Sequence, residues 1–259
     1  MAQPSHPGNV GAAARAIKTM GFSELVLVEP RWPDIAARPE AVALASGASD
    51  VLAGARLCGT LQEALAPVTL SFALTARERD LGPPPCDIRE AGRLARDHLA
   101  SDPQGGVAVV LGTERAGLTN EQIALCHRIC HIPANPEYSS LNVAQALQLA
   151  AWELRYALLE PGVDREPAGP PAAEPRRAGD RPATGEQVQA LIEHWRQALV
   201  AVGFLDPAHP KKLMPRMRHL FSRSALTRDE TDMLRGVCTA MLATARRARP
   251  DEDPPSNRD

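Results

Sequence analysis

The chain has 259 residues, 44% of them hydrophobic, which suits one large domain or two small ones with an ordinary core. Its formal net charge is −2, so any nucleic-acid binding must come from a local basic patch. No apolar run approaches the ~20 residues of a membrane span and the N-terminus lacks a signal-peptide core, so we expect a cytoplasmic protein without membrane contact.

Residues 5–20 begin with a Pro-Gly-Asn turn and continue as a helix of small residues. Asn9 is expected in the turn or as the helix cap. Arg15 is expected near the start of the helix, where the helix dipole does not favour a cation. That placement favours a functional arginine, although spacing alone leaves a surface arginine open.

Strands and helices alternate through the next hundred residues. Strands are predicted at 25–28, 68–74, 107–111 and 129–132, and helices at 39–48, 61–66, 87–99 and 141–159. This alternation predicts an α/β domain with a mainly parallel sheet. Arg77 follows the second of these strands and either contacts RNA phosphate or pairs with a neighbouring acid.

Two loops follow predicted strands and carry small and polar residues. The first contains Gly112, Glu114 and Gly117, and glycines let the backbone approach a ligand closely. The second reads Ser139-Ser140-Leu141-Asn142 before the helix. Ligands in parallel sheets bind at the carboxyl ends of strands, so we expect one small-molecule site formed by both loops. The alternative is that these residues only turn loops and cap a helix.

Five cysteines are dispersed along the chain, which argues against a disulfide framework. Cys126, His127, Cys130 and His131 suggest metal ligands at first sight. They straddle a helix end and a strand start, so their side chains should diverge, whereas structural zinc needs four convergent ligands. We therefore expect no metal and buried structural cysteines.

The C-terminal part differs in composition. A proline-rich linker is predicted at 161–183, a helical unit at 184–249 and a disordered tail at 250–259. Residues 207–228 contain no acidic residue, so we expect them to bind RNA phosphate rather than form an ordinary solvated face. The expected RNA-binding residues, besides Arg77, are Lys211, Lys212, Arg216, Arg218 and Arg223.

Three motifs occur in a fixed order: SHPGNVGAAARA at 5–16, LGTERAGL at 111–118 and SSLNVAQA at 139–146. Together they resemble the SPOUT superfamily of knotted RNA methyltransferases, in the branch that methylates ribose 2′-hydroxyls. Residues 135–142 and the C-terminal segment are most similar to the bacterial tRNA (cytidine/uridine-32) 2′-O-methyltransferases. The match spans most of residues 1–160, which we take as the methyltransferase domain.

The resemblance implies a sheet ending in a C-terminal trefoil knot, followed by a small helical domain, and a homodimer that methylates tRNA. It implies S-adenosyl-L-methionine as the cofactor, bound in a bent shape. The cofactor-binding residues would be Leu74, Thr75, Ala76, Gly112, Ile132, Ser139, Ser140 and Leu141.

The resemblance also implies four catalytic residues: Asn9, Arg15, Glu114 and Asn142. Arg15 would come from the neighbouring subunit and act on the 2′-hydroxyl. A guanidinium rarely gives up a proton, so orienting the hydroxyl is chemically easier for it than acting as a base. Glu114 and Asn142 would hold Arg15 and the ribose, and Asn9 would support them.

One departure from the family concerns the first strand. The family usually has a strand before the first motif, whereas only Met1-Ala2-Gln3-Pro4 precede Ser5 here. Either the strand is missing or the chain begins at an internal start, and in both cases we expect an unfilled position in the sheet. Three other functions stay open: the same chemistry on ribosomal RNA, a knotted base methylase, and a non-catalytic RNA-binding protein with a degenerate fold.

Overall fold

The structure is a computed structural model, and it describes residues 1–77, 82–159 and 180–248. The helices in these ranges are α1 (Pro7–Thr19), α2 (Pro39–Ala45), α3 (Ser49–Ala53), α4 (Leu61–Leu65), α5 (Ile88–Ser101), α6 (Asn120–Ile123), α7 (Val143–Leu159), α8 (Gly185–Ala201), α9 (Leu213–Arg223) and α10 (Arg228–Ala248). The strands are β1 (Val26–Val28), β2 (Arg56–Cys58), β3 (Val68–Leu74), β4 (Pro85–Asp87), β5 (Gly106–Leu111) and β6 (Arg128–His131). A 3-10 turn lies at Ile35–Ala37.

The named strands pair in parallel, as the alternation of strands and helices predicted. β4, β6, β3 and β5 lie side by side in that order, and β1 pairs with β2. β3 is an inner strand: its Leu74 is opposite Leu111 of β5 and Cys130 of β6. The carboxyl ends of three strands therefore meet at one edge, which is where a parallel sheet binds ligands.

The expectation of an unfilled sheet position is wrong. Residues 1–3 lie between β1 and β5, with Ala2 bridged in parallel to Val28. The Ala2 N–H donates to the Leu111 carbonyl at 2.8 Å, and the Val28 N–H donates to the Met1 carbonyl at 2.9 Å. Three residues suffice because β1 is itself three residues long, so the pairing that it needs is short.

Helix α1 begins earlier than the sequence suggested. Pro7 occupies the first helical position, which its fixed φ favours, and His6 is the N-cap. Asn9 therefore lies inside the first turn and is not the cap. Arg15 lies in the second half of α1, so the expected position of this cation near the positive end of the helix dipole was wrong.

Small residues let the helices pack tightly on the sheet. A Cβ added to Gly11 would lie 2.0 Å from the Ala41 carbonyl oxygen, so α1 and α2 pack backbone to backbone. Val10, Leu27 and Leu147 share the core beneath them. Helix α2 is shorter than the predicted 39–48 because the chain breaks at Ser46, whose φ is 51°.

Helices α8, α9 and α10 pack around a core of their own. Leu191, Phe221 and Cys238 are buried there, and the Trp195 ring meets Phe221 edge to face at 5.8 Å. The predicted capping box at Thr184 is present, with reciprocal bonds to Gln187. Most of the predicted linker at 161–183 and all of the predicted tail at 250–259 lie outside the described residues. Among the helices described, none is long and apolar enough to cross a membrane.

His127 is a mostly buried imidazole whose Nδ1 faces the Ser71 backbone N–H at 3.1 Å and the Ser71 hydroxyl at 2.8 Å. Burial, helped by the charges of His98 and Arg128, lowers the pKa of His127 to about 4. An unfolded histidine titrates near 6.5, so the unfolded chain binds more protons between those values. The contribution of neutral His127 to the free energy of unfolding is therefore fully present above about pH 6.5 and is lost as the pH falls towards 4.

We therefore expect the free energy of unfolding to fall by roughly 2 kcal/mol between about pH 6.5 and pH 4 through this histidine. Urea unfolding at several pH values should show a shallower fall for His127→Gln than for the wild type. His131→Gln, at an exposed histidine of β6, should keep the wild-type slope. An identical slope in His127→Gln would contradict the assignment.

Candidate active site

A cavity of about 150 Å³ lies at the carboxyl ends of β3, β5 and β6. Its walls are the residues that follow each strand, and the start of α7 closes one side. The lining residues are Leu74, Thr75, Ala76, Arg77, Leu111, Gly112, Thr113, Glu114, Arg115, Ala116, Gly117, Ile132, Ser139, Ser140, Leu141, Val143 and Ala146.

The eight residues predicted to bind the cofactor are all in this lining, although they come from three separate segments of the chain. Glu114 and Arg77 are there too. Arg115, Val143 and Ala146 line the cavity and were not assigned to it from sequence. Each belongs to one of the three motifs, so membership of a motif was the signal that could have identified them.

The loop after β5 is folded back on itself. Thr113 and Gly117 exchange backbone hydrogen bonds of 3.2 and 3.0 Å, and Gly117 has a φ of 69°, which favours glycine. A Cβ on Gly112 would lie 2.1 Å from the Gly117 carbonyl carbon. Only glycine fits at position 112, and the tight turn holds Glu114 at a fixed place on the cavity rim.

Glu114 is the centre of a hydrogen-bond network that ties the N-terminal segment to the cavity. Its carboxylate accepts bonds from the Ser5 hydroxyl at 2.8 Å, the Ser5 and His6 N–H groups at 3.2 and 3.1 Å, and the Asn9 amide at 3.3 Å. Burial acts to raise the pKa of Glu114, but the hydrogen bonds from its own N–H, Ser5, Asn9 and His6 outweigh burial and lower it. Glu114 is therefore an ionised acceptor at neutral pH.

The ionised Glu114 fixes the orientation of the two asparagines. A carboxylate only accepts hydrogen bonds, so Asn9 must turn its NH₂ group towards it. Its Oδ1 is then free to accept a 3.0 Å bond from the amide of Asn142. The Asn142 Oδ1 in turn accepts from the Ala144 N–H at 2.8 Å. Asn142 thus bonds the start of α7, as the capping interpretation predicted, and also bonds Asn9. Its role in a site stays a prediction.

Arg15 is not part of this network within one chain. Its side chain is exposed and makes no hydrogen bond or ion pair with any residue in the described ranges. Arg15 is six residues after Asn9 in α1, which is about 9 Å along the axis and roughly 120° around it. The Arg15 and Asn9 of one chain therefore face different directions.

The basic residues of the C-terminal helices fall into two groups. Lys211, Lys212, Arg216 and Arg223 are exposed on and before α9. Arg218 is half-buried and donates a 2.6 Å hydrogen bond to the Gln189 side chain of α8, and burial lowers its pKa. The structure therefore gives Arg218 a partner within the protein, while the other four side chains point to solvent.

The cysteines and histidines near β6 have different surroundings. Cys126 is buried, and burial raises the pKa of its thiol to about 12. Cys130 lies opposite Cys86 on β4, and His131 is exposed. The part of the chain that the structure describes contains no group of three or more potential metal-binding His, Cys, Asp or Glu side chains.

Comparison with known proteins identifies what the chain resembles. Residues 1–152 match the SpoU rRNA Methylase family, and residues 186–252 match the C-terminal domain of the tRNA methyltransferase TrmJ. The Pseudomonas aeruginosa tRNA (cytidine/uridine/adenosine-2′-O-)-methyltransferase TrmJ is 41% identical over 244 residues, covering 93% of this chain and 92% of that protein. The tRNA (cytidine/uridine-2′-O-)-methyltransferase TrmJ from Klebsiella pneumoniae is 40% identical over 248 residues, covering 93% of this chain and 94% of that protein.

Solved structures of methyltransferases are also similar to this chain. The crystal structure of TrmJ from Z. mobilis is 33% identical, with a TM-score of 0.75 over 93% of this chain and 96% of that one. A probable methyltransferase from Bordetella pertussis is 80% identical over 61% of this chain and 94% of its own, with a TM-score of 0.59.

Proposed function

Because this chain belongs to the SpoU rRNA methylase family, we propose that it methylates a ribose 2′-hydroxyl of tRNA with S-adenosyl-L-methionine as the methyl donor. The target we propose is cytidine or uridine at nucleotide 32 of the anticodon loop. One observation supports this proposal: the predicted cofactor residues line one cavity together with Glu114, and Glu114 is joined by hydrogen bonds to Asn9 and through it to Asn142.

The residues around the cavity fit S-adenosyl-L-methionine. Leu74, Leu111 and Ile132 supply apolar wall for an adenine ring, and the loop at 139–141 supplies backbone groups and hydroxyls for polar atoms. Gly112 permits the tight turn that shapes the cavity wall, because a Cβ there would collide with the Gly117 backbone. When bound, the cofactor supplies an electrophilic methyl group on a sulfonium.

The catalytic residues then have separate tasks. Methyl transfer needs the 2′-oxygen held in line with the methyl group at near-attack distance. We assign Arg15 to orienting the hydroxyl and the adjacent phosphate, because a guanidinium keeps its proton and bonds phosphate well. Asn142 would hold the ribose, while Glu114 and Asn9 keep Asn142 in position through the chain of bonds described above.

A homodimer would complete this site. Within one chain Arg15 points away from Asn9, and the cavity of about 150 Å³ is smaller than the ~300–1,000 Å³ usual for ligand sites. Helix α7 also exposes a continuous apolar stripe at spacings of three and four: Leu149, Trp152, Tyr156 and Leu159, with Trp152 53% and Tyr156 58% exposed. We propose that this stripe packs against a second copy, which brings Arg15 of the partner subunit to the cavity.

The double variant Trp152→Glu/Tyr156→Glu should be monomeric, because two charges would be buried in the proposed interface. Its methylation rate should fall about 100-fold if the partner supplies Arg15. Sedimentation velocity gives the first result and the methylation assay the second. Leu57→Glu, which changes a 50% exposed leucine of β2, should stay dimeric and active. A dimeric double variant would contradict this choice of interface.

The remaining parts of the chain fit the same scheme. We propose a methyltransferase unit at 1–160 whose loops after β5 and β6 form the family's trefoil knot, a linker at 161–183 and an RNA-binding helical unit at 184–249. The exposed cations of α9 and the match of residues 186–252 to a tRNA-enzyme domain support tRNA over ribosomal RNA. The cytoplasm, where tRNA is processed, is the proposed compartment.

The test is incorporation of labelled methyl from S-adenosyl-L-methionine into purified total tRNA, with the modified nucleoside identified by mass spectrometry. We expect 2′-O-methylated cytidine or uridine from the anticodon loop. A methylated base would contradict the ribose mechanism. Transfer to ribosomal RNA alone would contradict the tRNA assignment, and failure to bind the cofactor would favour a non-catalytic RNA-binding protein.

A further inference from the structure

A second cavity lies in the C-terminal helical unit, at the turn between α8 and α9. Its volume is about 520 Å³, within the ~300–1,000 Å³ range of small-ligand sites. The lining residues are Phe204, Leu205, Asp206, His209, Pro210, Lys211 and Leu213. None of them belongs to the candidate active site.

Phe204 is an exposed aromatic side chain held by an ordered turn. Gly203, with a φ of 76°, ends α8, and the Phe204 and Leu205 N–H groups both donate to the Leu199 carbonyl, at 2.9 and 3.0 Å. Leu205 is buried by this turn, whereas Phe204 is 70% exposed. A hydrophobic residue just after a glycine helix end usually packs back on its helix, so the exposure of Phe204 needs another explanation.

Asp206 stiffens the rest of the loop. Its carboxylate accepts hydrogen bonds from the Ala208 N–H at 2.8 Å and the His209 ring at 3.1 Å. The Asp206 carboxylate is therefore hydrogen-bonded within the loop. The ring of His209 lies beside the same cavity as Phe204. The loop presents one aromatic ring and one imidazole in a fixed arrangement.

The charges beside the cavity suit a polyanion. Residues 207–228 contain no Asp or Glu, and Lys211, Lys212 and Arg216 are exposed where α9 begins. Cations at the start of a helix oppose the helix dipole, and α9 has neither an acidic residue in its first turn nor a side-chain cap. A bound phosphate would relieve this repulsion.

We propose that this cavity is a nucleotide subsite for the tRNA substrate, in which an unpaired base stacks on Phe204 while Lys211 and Lys212 bind the neighbouring phosphates. The inference rests on the proposed tRNA substrate and adds a base-stacking contact outside the methylation cavity. Single-stranded RNA is commonly bound in this way, by aromatic rings beside a basic groove. A protein partner would need apolar residues around this small apolar lining as well, whereas Lys211, Lys212 and Arg216 beside it are cationic.

The first experiment measures the dissociation constant of the full-length protein for purified total tRNA. Phe204→Ala should raise it about tenfold, because base stacking on one aromatic ring is usually worth that much or more. Phe204→Trp should keep wild-type affinity, and Phe204→Leu, which is apolar but not aromatic, should bind as weakly as Phe204→Ala. Met233→Ala, at a 63% exposed apolar residue of α10, is the matched control and should bind normally.

Salt dependence separates the base contact from the phosphate contacts. Phe204→Ala should leave the slope of log affinity against log salt unchanged, whereas Lys211→Ala should reduce it by about one unit. Wild-type affinity in Phe204→Ala or Phe204→Leu would overturn the stacking assignment. A changed oligomeric state of Phe204→Ala with unchanged tRNA affinity would make the surface a protein interface and overturn it too.

The outcomes also separate this inference from the proposed function. If the wild type methylates tRNA and Phe204→Ala behaves identically, only the subsite is wrong. If the affinity pattern appears but tRNA is never methylated, the subsite stands and the methylation proposal fails. If the wild type binds no tRNA at all, both fail.

Discussion

Arg15→Ala should lower kcat/KM for tRNA methylation by about 10²- to 10⁴-fold while the dissociation constants for tRNA and cofactor stay within about threefold. The side chain is exposed and forms no hydrogen bond in the described part of the chain, so its loss should not unfold α1. Single-turnover methylation and equilibrium binding measure the two effects separately. Lys18→Ala, which removes another exposed cation of α1, should retain activity because it breaks a surface ion pair with Asp50 and an exposed hydrogen bond to the Gly47 carbonyl.

Mixing two inactive variants tests where Arg15 acts. Suppose that each of the two sites in a dimer combines Glu114 of one subunit with Arg15 of the other. A dimer of one Arg15→Ala chain and one Glu114→Gln chain then has one intact site and one site that carries both changes. Random exchange should then restore about a quarter of wild-type activity, because half the dimers are mixed and each has one working site. No recovery would place Arg15 and Glu114 in the same chain's site. Unchanged activity of Arg15→Ala alone would remove this residue from the mechanism.

Gly112→Ala should weaken S-adenosyl-L-methionine binding by about 100-fold, equivalent to ~3 kcal/mol. The added Cβ would lie 2.1 Å from the Gly117 carbonyl carbon and 2.3 Å from the Leu118 nitrogen, and these are backbone atoms that cannot rotate away. The turn would have to open, which displaces the cavity wall and Glu114 together. Titration calorimetry with the cofactor measures the loss.

The control for this variant is Gly47→Ala. A Cβ at Gly47 has no neighbour within 4 Å and the residue has no left-handed φ, so cofactor affinity and melting temperature should be unchanged. Circular dichroism of Gly112→Ala distinguishes a local loss of the cavity from global unfolding. Wild-type cofactor affinity in a folded Gly112→Ala protein would contradict the proposed position of the cofactor.

The sequence determined the features that depend on neighbouring residues. The apolar run of β5 followed by Gly112 and Glu114, and the polar loop before α7, identified the two cavity loops because strand, turn and cap signals are local. The Thr184 capping box and the unbroken basic character of 207–228 were likewise readable. The fold class followed from the alternation of strands and helices.

Only the tertiary structure decided the features that join distant residues. β2 and β4 are three residues each, too short for any periodicity, and they exist because neighbouring strands pair with them. Residues 1–3 enter the sheet for the same reason. Arg218 looked like its basic neighbours until its bond to Gln189, 29 residues away, gave it a partner.

The candidate site also has features that the sequence predicts and features that only the tertiary structure decides. Sequence supplied Glu114, Asn9 and Asn142, but the bond from Asn142 to Asn9 spans 133 residues, and its direction follows from the ionised state of Glu114. The place of Arg15 was misjudged because Pro7 starts α1 early and moves Arg15 into the second half of the helix. Residue identity fixes which groups are available for chemistry, whereas long-range packing fixes which of them meet, because contact between distant segments depends on the whole fold.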